Sequence, residues 1–162
     1  MSRLLLIAMF AIAIFPVAAA SNADERMIVL VRHAEKQADG NDPCLTDTGR
    51  KRAERLARHV AELPVRLLFS TEYCRTRETL DVLADEHGLT IRFYEPKDSA
   101  TLLDVTRQDA GVTVVAAHSN TLPLLLQDMG FNVSEIGEDE YDHLFLVTFT
   151  GTEPERLIHL KY

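Results

Sequence analysis

Met27-Ile28-Val29-Leu30-Val31-Arg32-His33-Ala34-Glu35-Lys36 is the stretch from which the chain is best read. Five apolar residues, three of them β-branched (Ile28, Val29 and Val31), run into an Arg-His pair without any polar alternation. A run this short and this apolar reads as a strand buried on both faces. Open α/β sheets place their ligands at the carboxyl ends of such strands. A guanidinium and an imidazole at that point suggest phosphate chemistry.

Two later segments have the same form. Leu67-Leu68-Phe69-Ser70-Thr71 is followed by Arg75 and Thr76, and Val112-Thr113-Val114-Val115-Ala116-Ala117 runs straight into His118-Ser119-Asn120. Three strand ends thus offer Arg-His, Arg and His. Two guanidinium forks, Arg32 and Arg75, can hold the oxygens of a phosphoryl group. One imidazole, His33, is then expected to attack phosphorus, with His118 stabilising the charge that is transferred. The scheme calls for no metal and no other cofactor.

On these residues the chain resembles the histidine phosphatase superfamily, the phosphoglycerate-mutase-like proteins. Arg32-His33-Ala34-Glu35-Lys36 is similar to the family's Arg-His-Gly turn, with Ala34 where Gly is commoner. Leu45-Thr46-Asp47-Thr48-Gly49 resembles its Leu-Thr-x-x-Gly approach to the first helix, and Thr71 to Thr79 its Ser-x-x-x-Arg-Ala-x-x-Thr segment. Val115 to Thr121 resembles its second-histidine turn. The four motifs come in the family's order and extend over nearly all of the chain after residue 20. The resemblance implies a phosphatase acting through a phosphohistidine on His33. It also implies a Glu after the third strand as proton donor, where Glu95 is the candidate, with Asp98 beside it and Glu72 as a further choice. Some short family members that resemble phosphohistidine phosphatases manage without such an acid.

Residues 1–20 read as a separate object. Arg3 gives a minimal basic start, Leu4 to Phe15 an apolar stretch, and Pro16-Val17-Ala18-Ala19-Ala20 a break followed by small residues, the form of a secretory leader. The apolar stretch is shorter than the ~20 residues that a spanning helix needs, so the membrane is expected to be met only during export, to the periplasm or outside the cell. Residues 21–162 are then the mature domain, of a size for one core. The leader takes Arg3 out of 17 basic residues, so 16 basic and 25 acidic side chains remain, a formal charge of −9. That balance argues against a nucleic-acid surface but not against a small phosphorylated substrate, since buried arginines can make a positive pocket in an acidic protein. Cys44 and Cys74 are an even pair in a chain expected to be exported, which allows a disulfide. Two unpaired small hydrophobes are the other reading. Bonded, they would tie two loops of the site together.

Along the chain, Gln37 to Pro43 is a polar, turn-rich loop. Thr46 or Asp47 can cap a helix that buries Ala53, Leu56, Ala57, Val60 and Leu63, with Arg50, Lys51, Arg52, Glu54, Arg55 and Arg58 as a solvated face. Pro64 stops it before the second strand. A helix from about Arg75 to His87 ends at Gly88, Thr90 to Tyr94 is a strand, and Ala100 to Gln108 a weaker helix. Ser119 or Asn120 is expected to cap a helix ending at Met129-Gly130. Leu144 to Phe149 and Arg156 to Lys161 form a closing hairpin. The alternation predicts a three-layer α/β domain, with helices on both faces of a mostly parallel sheet and an antiparallel C-terminal edge.

Other residues have two readings each. Thr46 and Gly49 either close over the phosphate or serve the helix start, and Asn120 either touches substrate or caps. Glu35 and Lys36 either orient the signature turn or lie at the surface. His59, His87, His143 and His159 have no partner pattern and read as ordinary histidines. Among functions, a mutase is disfavoured, since short loops leave little material for a lid. The alternatives of another class are a non-catalytic phosphate-binding or regulatory member of the fold, and a metal-dependent hydrolase, although the histidines lack zinc-like short spacing.

Overall fold

The structure, a computed structural model, describes residues 25–162. The leader expected at 1–20 and its cleavage region lie outside the described residues. Six strands form one sheet: β1 (Arg26–Arg32), β2 (Val65–Ser70), β3 (Ile91–Phe93), β4 (Gly111–Ala117), β5 (His143–Thr150) and β6 (Glu153–Lys161), in the order β3-β2-β4-β1-β5-β6. β1 to β4 pair in parallel, and β5 and β6 are the antiparallel edge. Four helices connect them: α1 (Asp47–Val60), α2 (Cys74–His87), α3 (Ser99–Gln108) and α4 (Leu122–Asp128). This is the expected α/β architecture, with the antiparallel C-terminal edge.

The two-residue period of the strands divides the core into two layers. Ile28 and Leu30 of β1, Leu67 and Phe69 of β2 and Val115 and Ala117 of β4 face Leu102 of α3 and Leu122, Leu125 and Leu126 of α4. Val29 and Val31, with Val112, Val114 and Ala116, face Leu56, Ala57 and Val60 of α1 and Leu80 and Leu83 of α2. A central strand facing both layers has no solvent side along its middle, which is why Met27 to Val31 shows no alternation. α1 and α2 lie on one face and α3 and α4 on the other, so the crossovers diverge around β4 and β1 and open a crevice at their carboxyl ends.

Several boundaries differ from the sequence expectation for local reasons. Thr46 is the N-cap of α1 and accepts from Gly49 N at 3.1 Å, but the helix ends at Val60, so Leu63 belongs to the following turn. Gly88 ends α2 in the left-handed region (φ 63°). β3 is only three residues, Ile91–Phe93. β6 starts early and takes in Pro154, which its place at the sheet edge permits. The N-cap position of α4 is Thr121, without a side-chain cap bond; neither Ser119 nor Asn120 caps it.

Candidate active site

β1 and β4 are parallel neighbours in the register Arg32↔Ala117, and His33 N donates to Ala117 O at 2.8 Å. The residue after each strand therefore falls beside the other: His33 and His118 stand with ring centroids 5.5 Å apart, edge to face. Arg32 is the last residue of β1, immediately before His33, and Arg75 comes from the first turn of α2, after β2. The fold brings together the four residues that the sequence singled out.

His33 is 3% exposed. Its Nδ1 lies 2.8 Å from Ala34 O. A carbonyl oxygen only accepts, so Nδ1 carries the proton and the neutral ring leaves Nε2 with a free lone pair. Burial, opposed by the Ala34 hydrogen bond and assisted by His118, Arg32 and Arg75, pushes its pKa down to about 3. Burial, with Arg75 and Arg32, likewise brings His118 down to about 4. Both rings are neutral near pH 7.

His118 Nε2 is 3.0 Å from Thr71 Oγ1, which is 2.8 Å from Thr76 Oγ1. Thr76 Oγ1 is also near the carbonyls of Tyr73 (2.8 Å) and Thr71 (3.1 Å), to which it can only donate. Thr71 then has one proton to give, to Thr76 or to His118 Nε2. The second choice puts the His118 proton on Nδ1, free for a ligand. Thr79 Oγ1 accepts from Ala34 N (3.0 Å) and donates to Arg75 O (2.7 Å), joining the signature turn to α2.

Arg32 is 1% exposed, and its guanidinium is fastened by a loop between α4 and β5. Nη1 donates to Gly137 O (2.6 Å) and Glu140 O (3.0 Å), and Nη2 to Glu138 O (2.9 Å). Tyr141 covers one face of it at 4.1 Å. Of the five N–H donors of a guanidinium, three are thereby used; Nε–H and one hydrogen of Nη2 remain. Nε is buried with no partner, and the same is true of Nε in Arg75. Orphaned buried donors are costly, and two charged ones beside a neutral nucleophile make a site for an oxyanion.

Arg75 lies on the Tyr73 ring at 4.3 Å and 3.8 Å from Asp42. Both Asp42 oxygens also accept from Cys74 N, at 3.0 and 3.1 Å, so a side chain from a distant loop caps α2, whose own cap residue Tyr73 cannot. Cys44 and Cys74 form a disulfide, Cα atoms 4.8 Å apart. With the Lys36↔Leu45 bridge, it holds the 36–45 loop against α2. Among the described residues, the single grouping with metal-ligand character is Cys44, Cys74 and Glu78. Its cysteines are bonded to each other and offer no thiolate.

Other candidates fall into supporting positions. Thr46 Oγ1 donates to Glu35 O (3.3 Å) and accepts from Gly49 N, so its hydroxyl serves the helix start and not a phosphate. A Cβ on Gly49 would collide with the Glu35 carbonyl oxygen, which is the reason for glycine there. Glu35 takes Arg52 in a bidentate pair (2.7 and 3.0 Å), and Arg52 also donates to Tyr162 O (2.8 Å). The expectation that Arg52 belongs to a solvated face was mistaken. Asn120 is exposed, and the described contacts give its side chain neither a cap nor a place beside the histidine pair. Asp98 caps α3 through Thr101 N and Oγ1, hydrogen bonds that hold its carboxyl below the usual carboxylate value, the wrong direction for a proton donor. Glu95 and Glu72 instead line a cleft of about 450 Å³ together with Thr71, the partner of His118. His143 and His159 pair with each other, Nδ1 to Nε2 at 2.9 Å, and stack with Phe145.

Sequence reasoning missed the 137–141 loop and Thr71. Backbone carbonyls are invisible to motif reading, and the only available signal was the polar, capless stretch between α4 and β5.

Residues 28–96 match the model of the histidine phosphatase superfamily (branch 1). No curated protein matches in sequence. Among solved structures, a protein histidine phosphatase, SixA, complexed with tungstate is similar at 14% identity and a TM-score of 0.71, over 83% of this chain and 96% of that one. A mycobacterial glucosyl-3-phosphoglycerate phosphatase is 14% identical, TM-score 0.65, over 85% and 98%. A phosphoserine phosphatase from Entamoeba histolytica, in complex with 3-phosphoglyceric acid, is 13% identical, TM-score 0.63, over 84% and 96%. At these identities the likeness is one of fold.

Proposed function

We propose, with membership of the histidine phosphatase superfamily as the premise, that this chain is a phosphoric monoester hydrolase working through a phosphohistidine on His33. The observation that carries the reading is the free Nε2 of a neutral, tautomer-locked imidazole, flanked by the two buried and unpartnered Nε donors of Arg32 and Arg75. A phosphoramidate would be opened by the same steps.

In the first step the lone pair of Nε2 attacks phosphorus and the bond from phosphorus to the leaving oxygen breaks. Arg32 and Arg75 hold the non-bridging oxygens, and His118 donates from Nδ1 as charge builds on them. Glu95, across the cleft, is the candidate to protonate the leaving oxygen. In the second step water attacks phosphorus, the P–N bond breaks, its electrons return to Nε2 and inorganic phosphate leaves. The proton lost by the water goes to the carboxylate that gave one up in the first step. No metal enters either step.

The leader-like residues 1–20 support export, with 21–162 as the mature domain in the periplasm or outside the cell. An oxidising compartment suits the Cys44–Cys74 bond.

Rapid quenching of the mature domain with radiolabelled substrate tests the mechanism. A protein-bound label stable to base and released by acid is expected, absent from His33→Ala, with turnover unaffected by chelator. Full activity in His33→Ala, or activity restored only by added divalent metal, would overturn it.

A further inference from the structure

Arg32 and Arg75 are both offered to the phosphoryl group, yet they are held in unlike ways. Carbonyl oxygens take three of the Arg32 hydrogens, in the plane of the guanidinium. Among the described residues the Arg75 guanidinium makes no hydrogen bond. It has the face of Tyr73 at 4.3 Å and an Asp42 carboxylate oxygen at 3.8 Å, too far for a hydrogen bond. The five N–H bonds of a guanidinium lie in its plane, so a partner in the plane consumes a donor, whereas an aromatic ring on the face fixes the plane and consumes none. A ring is therefore the kind of support that steadies the cation and leaves its Nε, buried and unpartnered, for a ligand.

Tyr73 is an odd residue for its place. It is the N-cap of α2, where Ser, Thr, Asp or Asn can accept from a free N–H and a tyrosine makes no such bond. Asp42 supplies a cap from a distant loop instead, through Cys74 N. Burial does not account for Tyr73 either, since it is 42% exposed, and its hydroxyl has no partner among the described residues. What the ring does meet is Arg75 and the ring of His118, centroids 5.3 Å apart at 89°. The backbone beneath it is held independently of the side chain: the Tyr73 carbonyl accepts from Thr76 N and Arg77 N, both at 3.1 Å, and from Thr76 Oγ1 at 2.8 Å. The ring thus stands on a fixed base between two groups of the site. A residue that breaks a local rule without a packing reason is expected where function requires it.

Resting on the phosphatase reading above, we propose that Tyr73 is a positioning residue of that reaction: its ring, not its hydroxyl, orients the Arg75 guanidinium and packs against His118, so that both face the phosphoryl group.

Tyr73→Ser separates this role from a structural one, because serine can cap α2 while the ring is lost. The urea unfolding midpoint should change little, the gained cap offsetting the lost ring contact. kcat/KM for 4-nitrophenyl phosphate should fall about three- to thirtyfold, the range of a cation held on a ring face, and vanadate inhibition should weaken by a similar factor. Tyr73→Phe, which keeps the ring, should recover most of that loss. Tyr73→Ser added to Arg75→Ala should cost distinctly less than it costs the wild type, since the ring acts through the guanidinium; a ring that only supports the fold would cost the same factor in both backgrounds. Undiminished activity in Tyr73→Ser, a loss that simply follows a lower midpoint, no recovery in Tyr73→Phe, or equal factors in the two backgrounds would overturn the role of the ring and leave the phosphatase reading standing. A wild type that releases phosphate from no substrate would sink the phosphatase reading instead. The role of the ring is then read from calorimetric binding of orthovanadate, where equal affinities of wild type and Tyr73→Ser overturn it.

Discussion

Arg32 and Gly137 are 105 residues apart in sequence, yet Arg32 Nη1 lies 2.6 Å from Gly137 O. The guanidinium is consequently a structural tie as well as the proposed phosphate donor. Arg75 is tied to the rest of the chain by an ion pair and a ring face.

This difference separates two lysine substitutions. Arg32→Lys leaves carbonyls of Gly137, Glu138 and Glu140 short of donors and removes Nε, so stability and catalysis should fall together. Arg75→Lys should cost catalysis with a much smaller change in unfolding midpoint. In both, kcat/KM is expected to drop about 10²–10³-fold, as for the loss of a donor to transition-state charge. Urea unfolding beside vanadate inhibition reads both effects; equal stability of the two variants would contradict the tie.

The two site histidines predict an acid dependence of stability. Each has a folded pKa, about 3 for His33 and about 4 for His118, below its unfolded value of 6.5. Above pH 6.5 both states are neutral and the pair costs nothing. Below it the unfolded chain binds protons that the folded site refuses, so stability falls until pH reaches the folded values, by up to about 1.4 kcal/mol per pH unit per histidine. Denaturant titrations of wild type and His118→Asn from pH 7 to pH 4 should diverge. Parallel curves would show that His118 titrates normally.

Asp98 and Glu95 should behave unlike each other. Asp98→Ala removes the side-chain cap of α3 and should lower stability, with activity unchanged. Glu95→Gln should slow alkyl phosphates far more than aryl phosphates, which depart without a proton. A series graded by leaving-group pKa makes the comparison, and equal losses across it would remove Glu95 as the acid.

Reduction of the Cys44–Cys74 bond, which spans 30 residues, should lower stability on the order of 2–4 kcal/mol. Since Asp42 then caps α2 from a looser loop, Arg75 is less well placed and KM should rise more than kcat falls. Cys44→Ser with Cys74→Ser gives the same test without reductant, and an unchanged KM would mean that the loop is held by Asp42 alone.

The sheet was legible because β1, β2 and β4 each carry an apolar run through their middle that leads to a reactive residue a few positions on, a pattern that both faces of a buried strand enforce. His33, His118, Arg32 and Arg75 were legible for a related reason: Arg32 ends β1, His33 and His118 come directly after β1 and β4, and Arg75 opens the helix that follows β2. What escaped were contacts made by the backbone. The carbonyls that fasten Arg32 belong to Gly137, Glu138 and Glu140, whose side chains announce nothing of it. Thr46 and Asp98 were ambiguous since a hydroxyl or carboxyl that caps a helix has the same composition as one that binds phosphate. Only the partner atom distinguishes them.

The position of β1 in the sheet has a consequence for how the protein comes to be folded. The strand made first among the described residues sits between β4 and β5, which come some 80 to 120 residues later. No local hairpin can shelter Ile28 to Val31, so this apolar ribbon, destined for both core layers, must wait for most of the chain before it can be paired. High contact order of this kind slows folding, and the waiting ribbon is open to wrong partners meanwhile. Chains stopped short of β5 should therefore be captured by general chaperones, and the nascent protein should be most vulnerable to aggregation in the interval between the first strand and the fifth.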